Sequence, residues 1–318
     1  MKRIAVLTRD CAGINACVRS IVRSACLYNI DVVGVYRGYE GLIEGDLISL
    51  DRRSVSGIIN LGGTILKSAR CHRFYAQEGQ KEAVIALKKN RIDGLIVIGG
   101  NGSLTGAHIL SREYGIRVIG IPATIDNDVN GVDISIGVDT ALNVALDALD
   151  KIRDTAMSLE RIFVVEVMGR ECGYLALNVA LAGGCEEVLL PEKDFNIGTM
   201  CKEIKEGSVK GKVSWIIIVA EGKASADDIA SLIREKTKLD TRIVVLGHIQ
   251  RGGRPTAFDR ITAARLGKYA LECILNGETD KCVGIKNGRL ITVSLETAIK
   301  PKKLEKLEEY YKLIKILT

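Results

Sequence analysis

Short apolar runs that recur along the chain and are separated by helical stretches constrain its fold more than any other feature. The runs are Arg3 to Thr8, Asp31 to Tyr36, Gly94 to Ile98, Arg117 to Ile121, Arg161 to Val167, Trp215 to Ala220 and Arg242 to Leu246. They are rich in Val and Ile and mostly lack polar alternation, which is the pattern of strands buried on both faces. Helical spacing is predicted between them. Asn15 opens one segment with Val18, Ile21, Val22 and Ala25 on a single face. Lys81 to Asn90 turns Val84, Ile85 and Leu87 inward. Further helices are expected over Arg52 to Asn60, from Ser103, over Thr140 to Ala156, over Thr256 to Leu275, and in the tail beyond Lys302. The stretch holding Gly38, Tyr39, Gly41 and Gly45 reads as a loop. Such alternation implies an α/β fold with mainly parallel, doubly wound sheets in three α/β/α layers.

In sheets of this kind, ligands bind beyond the carboxyl ends of the strands. Three loops qualify: Arg9 to Gly13, Gly99 to Ser103, and Pro122 to Asp128. The last belongs to the run GIPATIDND. Pro122 cannot donate to a ladder, so it ends the strand. In extended backbone Asp126 and Asp128 face one side. One carboxylate could then accept a proton while the other holds Mg²⁺; the plain alternative is a polar loop with a capping Asp. Gly99-Gly100-Asn101-Gly102-Ser103 follows a strand and precedes a helix. It suits either a phosphate at a helix N-terminus or a tight turn, and it is neither a Walker A loop nor a G-x-G-x-x-G fingerprint. Arg161, Arg170, Arg242 and Arg251 lie in or beside strand ends, where guanidinium groups bind phosphate bidentately. Of the three histidines, His248 sits in a Gly-flanked loop and is taken as a ligand contact, while His72 and His108 read as ordinary polar residues.

Composition excludes other classes. At 318 residues with 47% hydrophobic and 26% charged content, the chain can bury a large core. Its net charge of +6 is modest and its Lys and Arg are scattered, which argues against a nucleic-acid binder. The nine Cys show no C-x-x-C pair, so reduced, mostly buried thiols and a cytoplasmic location are expected. No apolar run approaches a membrane span.

The stretches IGGNGS, PATIDND, VVEVMGREC, AGGCE and VLGHIQRGGRP together resemble the 6-phosphofructokinase family in its short bacterial form, over nearly the whole chain. The resemblance implies phosphoryl transfer from ATP to the 1-hydroxyl of fructose 6-phosphate. It places the catalytic base on Asp126, with Thr124 orienting the reacting groups, Asp128 near the metal and Arg170 stabilising the transferred phosphoryl. It assigns sugar-phosphate binding to Met168, Gly169, Arg170, Glu221, His248 and Arg251, with Arg161 and Arg242 reaching in from a neighbouring subunit. ATP would lie along Asp10 of the first loop, Tyr39, Arg70, Cys71, Phe74 and Gly100, Asn101, Gly102 and Ser103. Mg²⁺ would be held by Asn101 and Asp128. An effector site for nucleotides or phosphoenolpyruvate-type ligands would use Arg19, Arg23, Arg52, Arg153, Glu186, Lys210 and Lys212 in a cytoplasmic homotetramer. Two domains follow from the resemblance, 1–137 plus 250–301 for the nucleotide and 138–249 plus 302–318 for the sugar phosphate, with the chain crossing between them more than once.

Three positions depart from the family pattern. The first loop, usually T-S-G-G-D-x-P-G-x-N, is the shorter Thr8-Arg9-Asp10-Cys11-Ala12-Gly13-Ile14-Asn15. The usual GGDGS is GGNGS, which puts a neutral ligand at Asn101, and PGTIDND has become PATIDND with Ala123. Pyrophosphate-dependent relatives carry GGDDS and PKTIDND; Gly102 and Ala123 stand at those two deciding positions, which favours ATP as donor. The departures also raise a second reading, a catalytically weak paralogue that binds sugar phosphate as a regulatory subunit. A third is a kinase for another sugar phosphate such as tagatose 6-phosphate.

Overall fold

The computed structural model describes residues 1–318. The chain divides into two compact units, Met1–Thr140 with Arg251–Lys302, and Ala141–Gln250 with Lys303–Thr318. It therefore passes from one unit to the other three times.

The first unit is built from β1 (Arg3–Thr8), α1 (Ile14–Ala25), β2 (Asp31–Val35), α2 (Gly38–Glu44), β3 (Leu47–Leu50), α3 (Gln77–Lys89), β4 (Gly94–Gly99), α4 (Asn101–Tyr114) and β5 (Val118–Pro122). The chain continues through α5 (Val138–Leu159) into the second unit: β6 (Ile162–Val167), α6 (Tyr174–Ala182), β7 (Glu187–Leu189), α7 (Ile197–Val209), β8 (Trp215–Ala220), α8 (Ala226–Thr237) and β9 (Thr241–Val245). The first unit is completed by α9 (Ala257–Leu275), β10 (Lys281–Lys286), β11 (Arg289–Ser294) and α10 (Leu295–Ala298). The second ends with α11 (Leu307–Leu317).

Seven strands form the first sheet in the order β11-β10-β5-β4-β1-β2-β3. Only the edge strands β3 and β11 run antiparallel to their neighbours. The second sheet, β7-β8-β6-β9, is parallel throughout. The central strands of both are buried on both faces, while the edge strands β3, β9 and β11 are only partly covered. In β6 and β8, Phe163, Val165, Ile216 and Ile218 enter one apolar cluster with α6 and α11, while Val164, Ile217 and Val219 enter another with α7 and α8. In the first unit, α1 lies against α9 so closely that a side chain on Gly267 would meet the Cys17 carbonyl at 2.9 Å. Uninterrupted Val and Ile runs are what a doubly covered parallel sheet requires.

Four local expectations are corrected. Gly38 to Gly45 is a helix rather than a loop: Arg37 enters it with φ 60° and Gly45 closes it with φ 71°. Gly41 is needed for packing, since a Cβ there would sit 1.7 Å from the Tyr36 carbonyl oxygen. Arg52 to Asn60 is a run of turns, not a helix. The Asp51 carboxylate accepts from the backbone N–H groups of Arg53 and Ser54, as at a helix start, but Gly57 with φ 71° leaves the helical region before a second turn can form. In α3, Val84 and Leu87 are buried in the core but Ile85 is 63% exposed, because it lies between the positions that face that core. Finally, Thr124 to Asp128 is not extended. Asn127 has φ 53°, so the two-residue spacing does not itself set the relation of Asp126 to Asp128.

Candidate active site

In the first sheet the strands β5, β4 and β1 are consecutive neighbours and parallel. Their carboxyl ends carry Pro122 to Asp128, Gly99 to Ser103 and Arg9 to Gly13, so three segments far apart in sequence become adjacent. The order reverses at β1, with β2 on one side and β4 on the other, which is where open α/β sheets form a ligand crevice.

The loop after β4 leads directly into α4, whose N-cap is Gly100. Tyr39 props it from below, its hydroxyl donating to the Ser103 carbonyl at 2.7 Å. Tyr39 and Phe74 stack at 4.1 Å and belong to the buried core, so neither ring is open to solvent. Burial pushes the Tyr39 phenol up, so it stays a donor. Arg70 is exposed and Cys71 half-buried. Burial raises the Cys71 thiol to about 11. Arg9 donates to the Ala69 carbonyl at 2.7 Å and so ties the first loop to this segment. Asp10 in the same loop is exposed.

After β5, the Thr124 hydroxyl oxygen accepts from the Asp126 N–H at 3.2 Å, and Asp126 is buried. Asn127 was given no role by sequence. Its side chain donates to the Asp133 carbonyl at 3.0 Å and accepts from the Ser135 N–H at 2.9 Å, closing the loop on itself. The two loops meet through Asn101, whose Nδ2 donates to the Asp128 carboxylate at 2.8 Å. Asn101 Oδ1 is buried and has no hydrogen-bond partner. A neutral oxygen left unsatisfied beside a carboxylate suits a hard cation. No group of three or more His, Cys, Asp or Glu surrounds it, so phosphate oxygens would have to supply most of the ligands.

The second unit gathers its own set. β8, β6 and β9 are consecutive neighbours, and the loops that follow them are locked together. Glu221 Oε1 accepts from the N–H groups of Gly169 at 3.2 Å and Arg170 at 2.8 Å. Gln250 Oε1 accepts from the Met168 N–H at 2.8 Å, and Glu192 accepts from the Gly173 N–H at 2.8 Å. Gly222 permits this closure, since a Cβ there would lie 1.8 Å from the Arg170 carbonyl oxygen. The Arg170 side chain is exposed, as is His248. Arg161 and Arg242 are not brought to these loops: they stand at the opposite, amino ends of β6 and β9, where they converge on one carboxylate, Asp240. Gln250, Glu192 and Asp240 had no sequence signal, because each acts on a partner distant in the chain or supplied by another strand. Arg251 opens the last segment of the first unit, and its Nε is buried without a hydrogen-bond partner.

The residues matched to an effector site fall in both units. Arg19 and Arg23 lie on α1 and Arg52 follows β3. In the second unit Arg153 donates to the carbonyls of Gly183 and Gly184. Lys212 pairs with Glu186 at 3.1 Å and lies over the Trp215 ring, while exposed Lys210 ends α7. His108 bonds Asp280 at 2.7 Å, an ordinary structural pairing.

A family model described as Phosphofructokinase matches residues 3–274. The chain is 49% identical, over the full length of both proteins, to the ATP-dependent 6-phosphofructokinase of Halothermothrix orenii. It is 47% identical to that of Clostridium botulinum over 94% of each. Among solved structures, phosphofructokinase from Saccharomyces cerevisiae superposes with a TM-score of 0.91 at 33% identity, covering 98% of this chain and 50% of the yeast chain. A pyrophosphate-dependent phosphofructokinase from Marinobacter aquaeolei has a TM-score of 0.84 at 22% identity, over 99% of this chain and 91% of that one, and shares the fold.

Proposed function

The chain belongs to the phosphofructokinase family, and on that premise we propose how its residues divide the work of the family reaction. It transfers the terminal phosphoryl of ATP to the 1-hydroxyl of fructose 6-phosphate, giving fructose 1,6-bisphosphate. The observation that carries the residue assignments is the junction of the two loops of the first unit, where the segment bearing buried Asp126 is pinned to the glycine-rich helix start through Asn101 and Asp128.

Asp126 would accept the proton of the attacking hydroxyl, with Thr124 holding the loop backbone beside it. Gly100, Gly102 and Ser103 would present backbone N–H groups to the donor phosphates at the N-terminus of α4. Asp10, Arg70 and Cys71 would border the nucleotide, with Tyr39 and Phe74 supporting that wall from the core. Asn101 Oδ1 and Asp128 would hold Mg²⁺, which when bound would neutralise charge on the phosphates. In the second unit Met168, Gly169, Arg170, Glu221 and His248 would hold the sugar phosphate, and Arg251 is also proposed as a sugar-phosphate ligand. Arg170 would stabilise charge on the transferred phosphoryl. Arg161 and Arg242 would serve a neighbouring subunit of a homotetramer. Arg19, Arg23, Arg52, Arg153, Glu186, Lys210 and Lys212 would bind a phosphorylated effector. No helix is long and apolar enough to cross a membrane, and a cytoplasmic location suits a glycolytic kinase.

The test is turnover of the purified protein with fructose 6-phosphate and Mg²⁺, comparing ATP, other nucleotides and pyrophosphate. Rapid turnover with ATP and little with pyrophosphate is expected. Measurable fructose 6-phosphate binding without turnover on any donor would overturn the reaction and leave a regulatory binding protein.

A further inference from the structure

Arg161 immediately precedes β6 and Asp240 immediately precedes β9. The two strands are parallel neighbours, with Ile162 opposite Thr241 and Phe163 opposite Arg242. The Ile162 N–H donates to the Asp240 carbonyl at 3.1 Å, which fixes the two strand entrances to each other. One side-chain oxygen, Asp240 Oδ2, then accepts from Arg161 Nε at 2.7 Å and from Arg242 Nη2 at 3.1 Å.

A guanidinium carries five N–H donors. Asp240 takes one from each arginine and leaves the rest of both forks available. It also sets a negative charge between two groups that would otherwise repel. All three side chains are partly exposed, at 29% for Arg161, 44% for Asp240 and 52% for Arg242. Pairs of that kind add little to stability, so the value of the arrangement lies in ordering the arginines before a ligand arrives.

We propose that Asp240 is a positioning residue that holds Arg161 and Arg242 as one converged pair for a single phosphate group, that of the sugar substrate bound by a neighbouring subunit. This rests on the reading of the two arginines as sugar-phosphate ligands. Asp240 does not touch the substrate; it acts through the arginines.

The experiment is steady-state kinetics on the full chain with fructose 6-phosphate varied at saturating ATP, for Asp240→Ala, Asp240→Asn, Asp240→Glu, Arg242→Ala and the Asp240→Ala/Arg242→Ala double variant. Losing this preorganisation should raise the half-saturating sugar-phosphate concentration about 5-fold in Asp240→Ala. Turnover and the half-saturating ATP concentration should stay within about 2-fold, as for an interaction that serves binding alone. Asp240→Glu should recover part of the affinity. The double variant should be little worse than Arg242→Ala, because residues acting as one unit are not additive. Asp240→Asn keeps the side-chain shape and loses the charge, and it carries the test if Asp240→Ala does not fold. If Arg242→Ala weakens the sugar phosphate while Asp240→Asn leaves affinity unchanged or tighter, the positioning role is overturned and the arginine reading stands. If Arg242→Ala itself leaves affinity unchanged, both fall.

Discussion

The side-chain amide of Asn101 donates to the Asp128 carboxylate at 2.8 Å while its own carbonyl oxygen is buried without a partner. Asn101→Asp removes that hydrogen bond and sets two carboxylates against each other. Without metal the variant should lose about 1–3 kcal/mol, the usual cost of breaking such a bond. Millimolar Mg²⁺ should then raise its melting temperature by more than it raises the parent's. Equal Mg²⁺ shifts would show that the two side chains do not form one cation site.

Asp126 is 3% exposed, and its backbone is pinned to the Thr124 hydroxyl. Asp126→Ser should lower turnover by about 10²–10⁴-fold, the range for a lost general base. The half-saturating fructose 6-phosphate concentration should change little, because the residues proposed to hold the sugar phosphate belong to other loops. Unchanged turnover would remove Asp126 from the chemistry.

Asp259 is fully buried on α9, where its carboxylate accepts from the N–H groups of Gly137 and Thr140 and from the Thr140 hydroxyl. An amide at this position turns a donor toward a donor. Asp259→Asn should cost about 1–3 kcal/mol of unfolding free energy, read as a lower urea midpoint with the slope unchanged. Burial holds the Asp259 carboxyl above its ordinary 3.8, so the native state retains a proton that the unfolded chain has lost. That contribution is present at low pH and is lost as pH rises through the native value. The penalty of the substitution should therefore grow as the pH is lowered toward 4, and a penalty that shrinks on acidification would contradict the sign.

Cys71 lies in the segment proposed to border the nucleotide, and burial raises its thiol to about 11. Because the thiolate is the nucleophile, alkylation of Cys71 by iodoacetamide should be slow at pH 8 and keep rising until the pH nears that value. Saturating ATP should slow it further. Alkylation at Cys71 unaffected by ATP would place the nucleotide elsewhere.

The strands were legible because a doubly covered parallel strand writes itself as a local run of Val and Ile. β1, β4, β5, β6, β8 and β9 all fall within a residue or two of those runs. The glycines misled at α2, since Gly38, Gly41 and Gly45 serve as an entry, a close contact and a cap of one helix, and residue type alone does not separate these uses from a loop. Arg52 to Asn60 failed the other way, because Asp51 caps a first turn that Gly57, with φ 71°, ends before a helix propagates. The glycine-rich loop, the TIDND segment and the arginines were legible as residue types with a chemistry. The supports were not: Glu221 reaches Arg170 across 51 residues, Gln250 reaches Met168 across 82, and Asp240 reaches Arg161 across 79.

By itself the sequence determined the α/β class, most of the strands and, through its motifs, the family. Each of these is carried by neighbouring residues or by periodicity, so it survives without coordinates. Tertiary structure alone decided the strand order that makes β5, β4 and β1 neighbours, the withdrawal of Tyr39 and Phe74 into the core, and the gathering of Arg161 and Arg242 on Asp240. Those outcomes depend on which faces find each other when the sheets are buried, and hydrogen-bond partners are chosen by that burial rather than by spacing along the chain.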